Sequence, residues 1–174
     1  MRNSIVYVAA LTLIACHGSA PSNIRLGDAT RYVNNSDGAQ WVTLPDNSHV
    51  KLSSGTAVVL GQGFANGNRV VDLDGEAMFE VRPAPGKVFV VITKNLIIQG
   101  PGTKFRVEAV RSRPGEEVDL LEGQLKIRKS YHSDLDSATE QLTTGDMLMI
   151  NREIDLMEKE KMNPDEVERA KAKF

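Results

Sequence analysis

From Gln40 to Ile150 the chain alternates apolar and polar positions in short runs. Turn residues cut these runs roughly every eight to twelve positions, a spacing typical of all-β domains. Val42 and Leu44 oppose Trp41 and Thr43, and Val50 and Leu52 share a face after the turn Pro45-Asp46-Asn47-Ser48. Such period-2 runs predict half-buried strands. Ala57 to Leu60 is a further strand, Gly61 to Asn68 a loop, and Arg69 to Leu73 leads through Asp74-Gly75 to Ala77, Phe79 and Val81 on one face. Phe89 to Ile92 and Leu96 to Ile98 are continuously apolar, which predicts strands covered on both sides. Gly100-Pro101-Gly102 turns the chain into Lys104-Phe105-Arg106-Val107. Val118 to Ile127, interrupted at Glu122-Gly123, reads as a strand pair or a bulged strand. Tyr131 to Thr139 is a polar loop, and Met147 to Ile150 closes the β region.

Three segments echo one another. Val71 to Gly75, Val118 to Gly123 and Leu142 to Gly145 each run from apolar strand to turn to Gly, and alternating apolar residues follow each Gly. The spacing is uneven, so both an irregular β-solenoid and a two-sheet sandwich remain open. From Asn151 the composition turns charged and helix-friendly. Asn163-Pro164-Asp165-Glu166 combines an N-cap, a first-turn Pro and early acids. With Val167, Ala170 and Phe174 on one stripe, it predicts a short helix loosely docked on the β domain.

The N-terminus has a separate logic. Arg2 precedes an apolar run from Ile5 to Ala15, too short to span a bilayer and suited to a signal-peptide core. The run ends in Leu13-Ile14-Ala15-Cys16, which resembles the lipobox of bacterial lipoproteins. Cleavage after Ala20 would instead place Pro21 behind the cut, which disfavours it. The resemblance implies a cut before Cys16 and lipid attachment at its thiol, anchoring the chain to a membrane. The expected division is a signal peptide over 1–15, a tether and extension over 16–39, a β domain over 40–151, and a charged tail with a short helix over 152–174. The expected location is the bacterial envelope facing the periplasm, on either membrane.

Composition mainly excludes. A formal net charge of −2 and 5% aromatics argue against nucleic-acid binding, which needs clustered cations and stacking platforms. A single Cys rules out an internal disulfide or multi-cysteine zinc site, and the three His are scattered. Asp72-Leu73-Asp74-Gly75-Glu76 lacks the acid pattern of a calcium loop. His132, Asp134 and Asp136 read as a solvated loop, and Gly61 to Gly67 misses both the dinucleotide spacing and its βαβ context. Gly102-Thr103-Lys104 lacks the rest of a phosphate loop, and G-x-S-x-G is absent. Glu76 and Glu80 on one strand would stand roughly 13 Å apart by strand rise, too far for a glycosidase pair. Met147-Leu148-Met149 reads as core. The expectation is a non-enzymatic protein with no cofactor or metal.

Six segments run in order along the chain: Leu44 to Leu52, Arg69 to Val81, Phe89 to Val91, Gly102 to Val107, Leu121 to Ile127 and Leu142 to Asp146. In that order they together resemble the FecR family of periplasmic domains from bacterial cell-surface signalling. Leu-x-Gly-Glu-Ala-x-Phe-x-Val, at Leu73 to Val81, is the most specific of them. The resemblance implies that Asp46, Gly75, Glu76, Phe79, Gly102, Thr103, Phe105, Gly123 and Gly145 determine the fold and carry no catalysis. Gly75 and Gly123 would sit at tight corners, and Asn47, where the family usually has Gly, tolerates a left-handed turn. Family members typically join a cytosolic anti-sigma segment and a membrane helix to this domain; here a lipobox stands in their place. The implied role is protein–protein recognition in the envelope, in or derived from sigma-factor signalling, with the signalling domain of a TonB-dependent receptor as a possible partner. The alternative is a structural or glycan-binding lipoprotein that reuses the fold.

Overall fold

A computed structural model describes residues 22–26, 29–135 and 138–172. The expected signal peptide, Cys16, Asp136 and Phe174 lie outside the described residues. The strands, in chain order, are β1 (Ser22–Leu26), β2 (Ala29–Val33), β3 (Gln40–Thr43), β4 (His49–Leu52), β5 (Ala57–Leu60), β6 (Val70–Glu80) and β7 (Phe89–Ile92). There follow β8 (Leu96–Gly100), β9 (Lys104–Ala109), β10 (Gly115–Glu122), β11 (Gln124–Lys129), β12 (Glu140–Thr143), β13 (Asp146–Asn151) and β14 (Leu156–Lys161). One helix, α1 (Pro164–Lys171), ends the described chain.

The fold is all-β with a short C-terminal helix, as the alternation predicts. The fourteen strands are continuous through hydrogen bonds. They fold into two faces that share β6, giving a nearly closed, barrel-like sheet. The first face runs β1-β2-β5-β6-β7-β8-β11-β12. The second runs β3-β4-β6-β9-β10-β13-β14. Only β6–β7 is parallel among the described pairings. Antiparallel pairing of this extent selects the sandwich-like alternative over a solenoid of stacked parallel coils.

The three glycine echoes mark where the chain changes face. β6 pairs with β5 up to Asp74 and with β9 from Gly75 onward. Gly123 separates β10 on the second face from β11 on the first, and Gly145 separates β12 on the first from β13 on the second. Their φ angles are 119°, 97° and 83°, in the region that favours glycine. A strand must bend sharply to leave one layer for the other, and a positive φ supplies the bend.

Between the faces lies one core. Phe79 and Phe105 stack with centroids 5.0 Å apart, Phe89 tilts against Phe79 at 6.0 Å, and Phe64 meets Phe89 edge-on at 6.1 Å. Four of the chain's five phenylalanines thus meet in the core. Phe64 reaches this cluster from a single 3₁₀ turn, Phe64–Asn66, inside the segment expected to be an irregular loop.

Other expectations need correction. Val90, Ile92 and Ile97 are half-buried, while Phe89, Val91, Leu96 and Ile98 are fully inside. The continuous apolar runs of β7 and β8 are therefore fully covered on one side and only partly on the other. Leu148 is core, but Met147 and Met149 point outward and are half-buried. Strands also extend beyond residues 40–151: β2 pairs with β5, and β14 pairs with β13 across Leu156 to Lys161. The helix-friendly Glu-Lys-Glu-Lys sequence is held as a strand because Met157 packs on the core. Its exposed charges then guard a sheet edge.

Candidate recognition surface

Apart from Glu76, the residues singled out in the sequence stand in turns, at corners or in the core. Asp46 closes the β3–β4 turn by accepting from the Ser48 backbone at 3.0 Å, and Asn47 takes φ 61° beside it. Asp46 also accepts from Arg69 Nε at 2.8 Å. Arg69 is almost wholly buried, donates to the Arg82 carbonyl at 2.7 Å, and lies 5.3 Å from the Phe89 ring centroid. This buried arginine ties the start of β6 to two loops. Gly102 packs so closely on Pro83 that a Cβ would come within 2.6 Å of its Cγ. Thr103 is buried, and its methyl blocks a side chain at Gly123. Gly145 donates to the Leu120 carbonyl at 2.8 Å and accepts from Met162 N at 2.9 Å, joining two corners to the tail.

Glu76 belongs to a cluster that sequence reasoning missed. The cluster stands on the outer side of the second face. There Arg106 reaches Glu76, Glu108 and Glu117 at 2.6 Å each and Asp119 at 3.0 Å. Register explains it: Glu76 pairs with Glu108, Glu108 with Glu117, and Arg106 with both Met78 and Asp119. Arg106 and Asp119 are 7% exposed, whereas the three glutamates are about a third exposed. Burial alone would lower the arginine pKa, but hydrogen bonds to Glu76, Glu117 and Asp119 outweigh it and hold the pKa above its ordinary value.

Beside this cluster α1 lies on the same outer surface. Met78, Leu121, Met162 and Ala170 bury one another there, with Met147 and Val167 packed against them. Asn163 and Glu166 form the reciprocal capping box that the sequence implies. The helix is docked through Ala170 and Val167. Glu80, the other outward acid of β6, is held by Lys104 at 3.0 Å.

A second polar lock joins the β11–β12 loop to the β13–β14 turn. Lys129, 3% exposed, donates to Asp155 Oδ1 at 2.8 Å and to Ser133 Oγ at 3.1 Å. The Tyr131 hydroxyl donates to the same Asp155 oxygen at 2.8 Å, and Arg152 sits over the Tyr131 ring at 4.4 Å. Hydrogen bonds from Lys129, Ser133 and Tyr131 pull the Asp155 pKa from 3.8 down to about 2. A depressed carboxylate pKa stabilises above the unfolded value and loses that contribution as pH falls through the folded one. The stability advantage of the wild type over Asp155→Asn should therefore hold above pH 5 and fade between about pH 4 and pH 2. Urea melts of both chains across that range would check it, and a constant difference would contradict it.

His132 and Asp134 approach to 3.2 Å but are 88% and 94% exposed, a solvated pair as expected. Among the described residues no group of three or more His, Cys, Asp or Glu is placed to hold a metal ion.

This two-faced sheet with glycine corners has known counterparts. The family described as FecR protein matches residues 22–126. The chain belongs to the FecR family. Two crystal structures described as a "putative anti-sigma factor" from Parabacteroides distasonis ATCC 8503 share the fold, with TM-scores of 0.70 and 0.69 at 24% identity. Each match covers 80% of this FecR chain but 63% of the solved one, so this chain spans less than two thirds of their length. No curated protein matches it. Most of the family residues that the sequence pointed to lie at the corners and in the core, while Glu76 joins the charged outer surface that strand register assembles on the second face.

Proposed function

We propose that this FecR domain is a lipid-anchored recognition module of a bacterial envelope, working in or derived from cell-surface signalling. Family membership supports the signalling setting. The lipobox-like Leu13-Ile14-Ala15-Cys16 supports the anchor and a periplasm-facing location. The observation that carries the recognition role is the outer surface of the second face, where a charged cluster and half-buried methionines lie side by side. Mixed apolar and charged surfaces of this kind mark protein–protein contact sites. A receptor signalling domain in the envelope is the partner this setting suggests, and the module would bind without catalysis.

The test is a crosslinked pulldown from cells fed a palmitate analogue. The wild type should carry label and enrich an envelope protein. Cys16→Ala should lose the label entirely; retained label would refute attachment there. Absence of any enriched envelope protein would sink the recognition role. Trp41, 46% exposed, lines a cleft with Glu80, Lys104 and Leu121, and this favours glycan binding as the second reading. Co-sedimentation with peptidoglycan that disappears in Trp41→Ala would support that reading instead.

A further inference from the structure

The outer surface of the second face holds a groove that neither the family motif nor the Arg106 cluster explains. Its volume is about 560 Å³. One row of paired residues crosses it, from Glu108 on β9 through Glu117 on β10 and Met149 on β13 to Glu158 on β14. The next row on the same face runs Gly115, Asn151, Leu156. Gly115 has no side chain to fill its place, so the row is open at that end and the groove forms beside it.

The floor is apolar and wet. Ile154 is 62% exposed and Leu156 44% exposed, next to the half-buried Met149. Exposed residues of this size are costly in water unless something covers them. The rim is acidic. Glu108, Glu117 and Glu158 line it against one guanidinium group, that of Arg113. Glu158 sits at the far end of the row with its side chain exposed.

We propose that this groove docks a protein segment presenting an apolar side chain flanked by lysine or arginine. The apolar side chain would cover Ile154 and Leu156, and the cations would meet Glu158 and the carboxylates across the row. Charge complementarity of this sort sets specificity and association rate. The proposal rests on the recognition role above and assigns the chemistry of its partner.

The probe is a fluorescein-labelled peptide of alternating lysine and leucine, titrated into the full chain by anisotropy. Two controls replace every lysine by glutamate or every leucine by serine. The lysine–leucine peptide should bind, more weakly at high salt, and both controls should fail. Ile154→Ser with Leu156→Ser should weaken binding at least tenfold, and Glu158→Lys severalfold; both sites are exposed, so circular dichroism should stay unchanged. Equal binding of the serine control, or wild-type affinity in the double variant, would overturn the proposal. Self-association of the chain that the double variant abolishes would name a second copy as the occupant and overturn it too. The cellular pulldown separates the two levels. A partner retained by the double variant removes the groove and leaves the recognition role, whereas no partner for the wild type removes the role itself.

Discussion

Arg106→Met is expected to cost about 3–5 kcal/mol of unfolding free energy at neutral pH, the range for leaving a buried charge without its partner. The substitution keeps an unbranched apolar stem and removes the guanidinium with all its hydrogen-bond donors. Asp119, 7% exposed, then has no guanidinium at 3.0 Å, and Glu76 loses its contact at 2.6 Å. Glu108 and Glu117 suffer less, because about a third of each side chain reaches water, which screens it. The loss should therefore be concentrated in Asp119. Adding Asp119→Asn to Arg106→Met should recover a large part of the deficit, since the buried charge that lost its guanidinium is gone. Urea melts at pH 7 would measure both, and a deficit under about 1 kcal/mol would show that solvent already carries these charges.

That cluster also shows what a sequence can and cannot display. The alternation in Lys104-Phe105-Arg106-Val107-Glu108 places Phe105 inside and Arg106 outside, as the structure has it. It does not say what Arg106 meets there. Its four acids come from β6, β9 and β10, and only the register between distant strands brings them together. The Lys129–Asp155 lock is hidden for the same reason, since its groups lie in a strand and a turn far apart in the chain. Local rules were enough where the constraint is local. The capping box at Asn163 and Glu166 and the left-handed Asn47 are written in a few consecutive residues. They misled where tertiary pairing overrides propensity, as in β14, whose alternating Glu and Lys would suit a helix equally well. They misled again in β7 and β8, where β-branched residues suit a strand whether or not the outer face is covered.

The glycine corners were legible in part, and one of them carries the other large effect. Gly75→Ala is expected to cost about 2–6 kcal/mol, from about 1–3 for a strained positive φ and about 1–3 for overpacking. At φ 119° an added Cβ would stand 2.6 Å from Thr56 Oγ1 and 2.8 Å from Thr56 Cα. Thr56 cannot retreat freely, because its hydroxyl donates to the Glu76 carbonyl at 2.9 Å and accepts from Glu76 N at 3.0 Å. Gly145→Ala provides the contrast. Its φ is 83° and nothing lies within 4 Å of the added atom, so only strain of about 1 kcal/mol applies. Equal losses at the two glycines would mean that contact at Gly75 contributes nothing. The corner also bears on the surface, because the residue after Gly75 is the Glu76 that meets Arg106. If the bend positions that carboxylate, Gly75→Ala already weakens the ion pair, and the double variant with Arg106→Met should lose less than the two single variants together. Strict additivity would separate the corner from the charged surface.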